Sequence, residues 1–276
     1  MKSRKLITYL AEALAIVISI LFLIPLIYAF LNSFKEYGEM MTSYMAFPKK
    51  FYLGNYVKAY EAMNYVRSFF NSFAVTIFSV AGIIFFSSMA SYKLARTKDR
   101  KSWFIYLLFT FGMIIPFHAI MIPIVKLAAF LHLTKSIPGL VVIYWGLGCP
   151  LAVFLYHGFI KGVPVEIEEA AEIDGCSPFR KFFSVVIPLL TPVTSTIAIL
   201  DVLWVWNDFL LPMLVIFLNR NIRTIPLTQY NLYGEYNSEW NVAIAAVIMG
   251  VVPCIIFFLF MQKYIIKGVT AGSVKG

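Results

Sequence analysis

Charge is what this sequence has little of. Only 13% of its 276 residues are Asp, Glu, Lys or Arg, against roughly a quarter in an average soluble chain. A soluble domain needs more polar residues than that to cover its surface. With 61% hydrophobic residues and a mean hydropathy of +0.81, the composition is that of a membrane protein. Cysteine is scarce too: Cys149, Cys176 and Cys254 lie far apart and form no C-x-x-C pair. Neither a disulfide framework nor a zinc site is indicated. The dipeptide Gly-Lys is absent, and a phosphate-binding loop needs it followed by Ser or Thr. An ATP-hydrolysing site in this chain is therefore excluded from expectation. No H-E-x-x-H occurs, and His118, His132 and His157 show no metal-ligand spacing. His118 fits either a lining role within an apolar span or a packed one.

The net charge of +9 would suggest a nucleic-acid partner in a soluble protein. Here Lys and Arg sit at the ends of apolar stretches, where they fix topology. The expected partner is the lipid bilayer, with no nucleic acid.

A bilayer core about 30 Å thick needs roughly 20 apolar residues as helix. Six stretches qualify, at about 10–31, 70–92, 103–129, 139–160, 190–217 and 241–262. The first follows Lys2-Ser3-Arg4-Lys5 and lacks a small-x-small cleavage site, so it reads as a retained span. With the N-terminus cytoplasmic, the inside segments hold 14 Lys and Arg and the outside segments 9. Most of the outside count lies in the long 32–69 segment, which weighs little in this rule. Both termini are expected in the cytoplasm. Prolines fall in or beside five of the six spans (Pro25, Pro116, Pro123, Pro150, Pro192, Pro212 and Pro253), which suits a bundle of kinked helices.

One polar island interrupts the apolar pattern. Residues 165–179 read VEIEEAAEIDGCSPF, with Glu166, Glu168, Glu169, Glu172 and Asp174 within nine positions. Pro164 suits a first helical position, early glutamates suit the positive end of the helix dipole, and Gly175 suits a terminator with positive φ. The expected helix covers about 164–173. At 100° per residue Val163, Ile167, Ala170 and Ala171 share one side and the glutamates the other. Asp174 sits at the negative end of the dipole, where a cationic partner would suit it. Two readings fit: a docking helix for another protein, or an amphipathic helix at the lipid surface. An anionic cytoplasmic leaflet repels the second.

The island also carries a resemblance. Glu169-Ala170-Ala171, three residues, Gly175, nine residues and then Val185-Val186-Ile187-Pro188 resembles the EAA motif of permease subunits in ABC-type importers. The usual ending is Ile-x-Leu-Pro, so Val185 and Ile187 are conservative departures. Asp174-Gly175, the stretch WNDFLLPMLV at 206–215 and the ending QKYIIKGVTAGSVKG at 262–276 are similar to the sugar-uptake branch, of maltose-transporter type. The likeness runs from about Asn71 to Gly276. Where many relatives carry an acidic residue after the third span, this chain has TKSIPG.

The resemblance implies an all-α membrane protein with six transmembrane helices and a cytoplasmic coupling helix. It implies one permease domain over 1–276, with core spans at about 70–262 and a coupling loop at 161–188. It would lie multi-pass in a bacterial-type plasma membrane. Its partners would be a second permease subunit (a different chain), two ATP-binding subunits and an extracytoplasmic sugar-binding protein. ATP and Mg would be bound by the ATPase subunit, with no cofactor in this chain. Glu169, Ala170 and Ala171 would form the docking surface, Asp174 a pairing residue and Gly175 the turn that aims the helix.

Acids inside lipid cost about 2.5–3.5 kcal/mol at the centre of a span, so they usually face a cavity or a partner. In a helix starting near 190, Asp201 lies about 16 Å along, close to Trp204, Trp206, Asn207 and Asp208. Asp201, Trp204, Asn207 and Asp208 either line a sugar path, or the tryptophans anchor at the interface and Asn207-Asp208 makes a structural turn or subunit contact. The 219–240 segment, with Tyr230, Tyr233, Tyr236 and Trp240, fits either a binding-protein contact or an interfacial belt. A secondary transporter would show a midplane ion site and repeated halves; neither is visible. An intramembrane enzyme would need facing catalytic groups, and Asp201 and Asp208 lie about two turns apart on one helix.

Overall fold

The computed structural model describes residues 2–233 and 239–273, with side chains over 8–233 and 239–262. All regular structure among them is helical. In chain order the helices are α1 (Lys2–Asn32), α2 (Tyr37–Thr42), α3 (Gly54–Met63), α4 (Tyr65–Arg96), α5 (Arg100–Ile114), α6 (Phe117–Phe130), α7 (Ile137–Lys161) and α8 (Glu166–Ile173). Next come α9 (Pro178–Lys181), a π-turn over Phe182–Val186, α10 (Ile187–Leu189), α11 (Thr191–Asn207) and α12 (Leu210–Ile216). A 3₁₀ turn (Arg220–Ile222), α13 (Ile225–Tyr230) and α14 (Trp240–Ser273) complete the order.

Among the described residues four helices are long and apolar enough to cross a membrane: Thr8–Asn32, Tyr65–Arg96, Ile137–Lys161 and Trp240–Gln262. Two bent pairs bring the number to six if each pair is one span. The prolines of the third and fifth spans suggested kinks, and the structure bends both sharply. α5 and α6 meet at 109° because Pro116, with extended backbone, stands between them and has no N–H for a helix to use. The second pair, Pro178–Leu189 and Thr191–Asn207, bends by 75°. The apolar run beyond it is cut again at Asp208, whose backbone is extended.

The residues form two compact units. The first comprises 1–66 and 228–253. Its polar centre is Asn55, 1% exposed, whose amide donates to the Ser33 and Lys35 carbonyls at 2.8 Å each and accepts from Asn241 at 2.7 Å. The buried Lys35 amine donates to the Ser43 carbonyl at 2.7 Å, and burial pulls its pKa below the usual lysine value.

The second unit comprises 67–227 and 254–276. Its α4 buries a stripe of small hydroxyl residues that includes Ser72, Thr76, Ser79, Ser87 and Ser91. Small residues let helix backbones approach closely where lipid offers no hydrophobic drive to association. Ser91 Oγ donates to the Val153 carbonyl of α7 at 3.1 Å, and Ser72 Oγ accepts from the Ile225 amide at 2.8 Å. One apolar cluster joins Ile83, Tyr156, Phe182 and Ile197, and another joins Val75, Tyr144, Leu211 and Ile216. His157 is 6% exposed and stacks on Tyr106 at 3.8 Å between ring centres, so it is a packed side chain; His118 is exposed on α6.

Candidate functional site

The acidic island folds as α8. It begins two residues later than expected: α7 stops at Lys161, Val165 caps α8, and Pro164 lies in the connection. Glu166, Glu168 and Glu169 occupy the first turn, where the unpaired N–H groups and the dipole favour negative charge. The end of α8 is a Schellman motif. The Cys176 amide donates to the Ala171 carbonyl and the Gly175 amide to the Glu172 carbonyl, both at 3.0 Å. Such a motif needs a left-handed residue just past the cap, and Gly175 has φ +80°.

Burial sorts the residues of α8 differently from the helical-wheel expectation. Glu168 is 4% exposed and Ala171 6%, so both face the body of the protein. Glu169, Ala170, Glu172, Ile173 and Asp174 are exposed. Glu168 is thus no member of a solvated acidic face, and Ala171 is enclosed rather than presented outward. The glutamate is buried because it is fully partnered. Arg96 Nε donates to its Oε1 at 2.8 Å, Arg96 Nη2 stands 2.6 Å from the same oxygen, and the Tyr92 hydroxyl donates to Oε2 at 2.7 Å. Removing one partner of such a buried pair leaves an uncompensated charge, at a cost of about 3–5 kcal/mol. Glu172 makes a second tie, accepting from the Lys181 amine of α9. Asp174 and Glu169 make no ion pair among the described residues, leaving both carboxylates free on the outer face.

The intramembrane residues divide into two groups. Asp201 and Trp204 line a cavity of about 430 Å³ with Gly112 and Met113 of α5, Phe117 and Ile120 of α6, and Gly148 and Pro150 of α7. Asp201 is 4% exposed, and its Oδ2 has no hydrogen-bond partner. Trp204, more than a third exposed, stands edge-on to Tyr144 at 5.4 Å. Trp206 is buried against Phe69. Asn207 and Asp208 are not in the cavity wall. Asn207 Nδ2 donates back to the Leu203 carbonyl at 2.7 Å. Asp208 Oδ1 accepts from the amides of Leu210 and Leu211 at 2.9 and 3.4 Å, and its Oδ2 accepts from the Tyr144 hydroxyl at 2.9 Å. Those bonds cap α12, which makes Asn207-Asp208 a structural turn in this chain.

Tyr92 and Arg96 went unnoticed in the sequence. Arg96 reads there as one of several basic residues closing a span, and nothing local links it to an acid 72 positions away. Tyr230, Tyr233 and Trp240 are each 45% exposed. Tyr236, the last three residues of the 262–276 ending and the side chains from Lys263 lie outside the described residues. Among the described residues no cluster of His, Cys, Asp and Glu has metal-site geometry.

Comparison with known proteins agrees with this architecture. The chain is 42% identical to the probable starch degradation products transport system permease protein AmyC of Thermoanaerobacterium thermosulfurigenes, over 97% of each chain. It is 36% identical to the multiple sugar-binding transport system permease protein MsmG of Streptococcus mutans, over the full length of both. The melibiose/raffinose/stachyose import permease protein MelC of Bacillus subtilis is 32% identical, over all of this chain and 98% of its own. In fold it is similar to a chain of a bacterial ABC transporter involved in the import of the acidic polysaccharide alginate, with a TM-score of 0.83, 21% identity and coverage of 96% and 98%. Residues 83–271 match the model of the binding-protein-dependent transport system inner membrane component, and the chain belongs to that family.

Proposed function

We propose that the chain is the permease subunit of an ATP-driven sugar importer, forming half of the translocation path and coupled to an ATPase subunit through α8. The observation that carries this reading is the division of α8 into two faces. Glu168 and Ala171 are spent inward, while Glu169, Ala170 and Asp174 stand outward on a helix aimed by the Gly175 turn. Ala170 leaves room for a groove wall to approach the backbone. Glu169 and Asp174 offer two free carboxylates to cationic groups of an ATPase subunit.

The substrate class follows from the relatives, whose names refer to starch degradation products, multiple sugars, and melibiose, raffinose and stachyose. An oligosaccharide is the cargo we assign. Asp201 and Trp204 supply what a sugar needs at a path wall: a carboxylate for hydroxyls and an aromatic face for the apolar side of the ring. Residues 1–276 act as one permease domain, with spans at about 70–262 and the coupling loop at 161–188 on the cytoplasmic side together with both termini. A second permease, two ATP-binding subunits that hold ATP and Mg, and an extracytoplasmic binding protein complete the assembly.

The test is co-purification of the tagged chain with an ATPase subunit encoded beside it, comparing wild type with Ala170→Arg. Capture by the wild type, with loss of the ATPase or of coupled transport in the variant, is the expected result. A chain that purifies alone, with a variant that behaves like wild type, would overturn the reading.

A further inference from the structure

The inner face of α8 has a consequence for how movement leaves it. Both oxygens of Glu168 are taken by one helix: Oε1 by Arg96 and Oε2 by Tyr92, four residues apart and therefore on one face of α4. Arg96 Nη2 also donates to the Val163 carbonyl at 3.0 Å, so the same guanidinium holds the strand of chain leading into α8. The Tyr92 ring packs at 5.2 Å on Phe182 in the π-turn that follows α9. Entry, body and exit of the island are thus gathered on the last turn of α4. The other tie, Glu172 to Lys181, has an exposed carboxylate, and such surface pairs contribute little; the Lys181 amine also lies beside the Tyr92 hydroxyl, so this tie too leads to α4.

The far part of α4 reaches the cavity wall. Ile83 lies 13 residues before Arg96, about 20 Å along the helix, and is fully buried. It fits into the space left by Gly148, where a Cβ would meet Ile83 Cδ1 at 2.4 Å. Gly148 lines the cavity beside Asp201. The preceding residue, Gly82, admits Trp145, which lies one turn before Gly148 on α7 and whose Nε1 donates to the Phe78 carbonyl at 3.0 Å. Close packing without voids makes such contacts transmit displacement rather than absorb it.

We propose that Arg96 and Tyr92 are positioning residues of the coupling device. They clamp α8 to α4 through Glu168, and α4 carries the displacement of α8 to the wall of the Asp201 cavity. The proposal rests on the reading of α8 as the coupling helix.

The experiment uses the full complex with its ATPase, partner permease and binding protein in proteoliposomes. It measures ATP hydrolysed per maltotriose or raffinose accumulated. Arg96→Gln and Glu168→Gln should each raise that ratio about tenfold, within the range of coupling free energies between sites, while the ATPase still co-purifies in full. The exchange of Arg96→Glu with Glu168→Arg should bring the ratio most of the way back, which a purely structural loss would not allow. Should the Arg96 and Glu168 variants fail to accumulate, Tyr92→Phe keeps the ring packing and the ion pair. It should raise the ratio about threefold, near the lower end of what loss of one intramolecular hydrogen bond costs, and an unchanged ratio would overturn the clamp. Ala170→Arg separates the two readings. If it uncouples while the clamp variants hydrolyse and transport as wild type, the clamp fails and the coupling helix stands; if it too is silent, the coupling reading fails.

Discussion

The Tyr144 hydroxyl donates to Asp208 Oδ2 at 2.9 Å, and the other oxygen of that carboxylate caps α12. Tyr144 is fully buried, so its hydroxyl has no water to turn to. Asp208→Ala should remove the cap and leave a buried donor unmet. Caps contribute about 0.5–2 kcal/mol, and polar contacts within membranes about 0.6 on average. A destabilisation of about 1–3 kcal/mol follows, read as a lower Tm in detergent. Asp208→Asn keeps an acceptor oxygen for the cap, and its amide can donate to the Tyr144 oxygen in place of the lost acceptor, so it should lose less than half as much. Equal Tm values for the two variants would refute the capping role.

At the other end of the site, Gly175 tests the backbone alone. A Cβ there meets nothing within 4 Å, yet φ is +80°. Any loss on substitution therefore comes from the left-handed conformation and not from crowding. Asn tolerates that region better than other residues and β-branched side chains worst. Retention of the ATPase subunit should fall in the order Gly, Asn, Ala, Val, with a cost of about 1–3 kcal/mol for Val. An order that followed side-chain volume, with Asn below Ala, would point to an unseen steric contact instead.

Asp201 is a group whose stability and function should part company. Its Oδ2 is buried without a partner, and an unmet buried polar group costs about 1–3 kcal/mol. Asp201→Leu should raise Tm by a few degrees for a chain of this size. Uptake of maltotriose or raffinose should fall by tenfold or more if the carboxylate serves sugar hydroxyls, as loss of about 1.4 kcal/mol or more implies. Asp201→Asn, which keeps one acceptor, should lie between. A variant that is both more stable and fully active would remove Asp201 from the path.

The sequence made the membrane class, the approximate spans and the turn at Gly175 legible because each depends on local properties. Twenty apolar residues, or a glycine after a short helix, carry their meaning within a window of neighbours. Helix α8 was legible as a polar island for the same reason. What escaped was set by distant residues. Glu168 reads as one more solvated acid until Arg96 and Tyr92 are brought against it. Ala170 and Ala171 look alike on a wheel, and only the packing of α8 decides that one is exposed and the other enclosed. The bend between α5 and α6 was signalled by Pro116, but a proline in an apolar run is equally compatible with a gentle kink.

Two glycines of α7 give a last contrast, since both could be replaced by alanine without changing polarity. At Gly139 an added Cβ would come within 1.8 Å of the Leu133 carbonyl oxygen. Leu133 belongs to the turn that leads into α7, and Ser136 caps that helix by accepting from the Gly139 amide at 3.2 Å. The obstacle is backbone held in place by the cap, so relief requires moving the turn. Overpacking of this kind costs about 1–3 kcal/mol or more, and Gly139→Ala should accumulate poorly and melt early. At Gly146 a Cβ meets nothing within 4 Å, and alanine is the better helix former by about 0.5–1 kcal/mol. Gly146→Ala should therefore match or exceed the wild type in Tm. Thermal melts of the two purified variants decide the matter: a stable Gly139→Ala would mean that the turn before α7 yields freely, and a destabilised Gly146→Ala would mean that another subunit packs against that position.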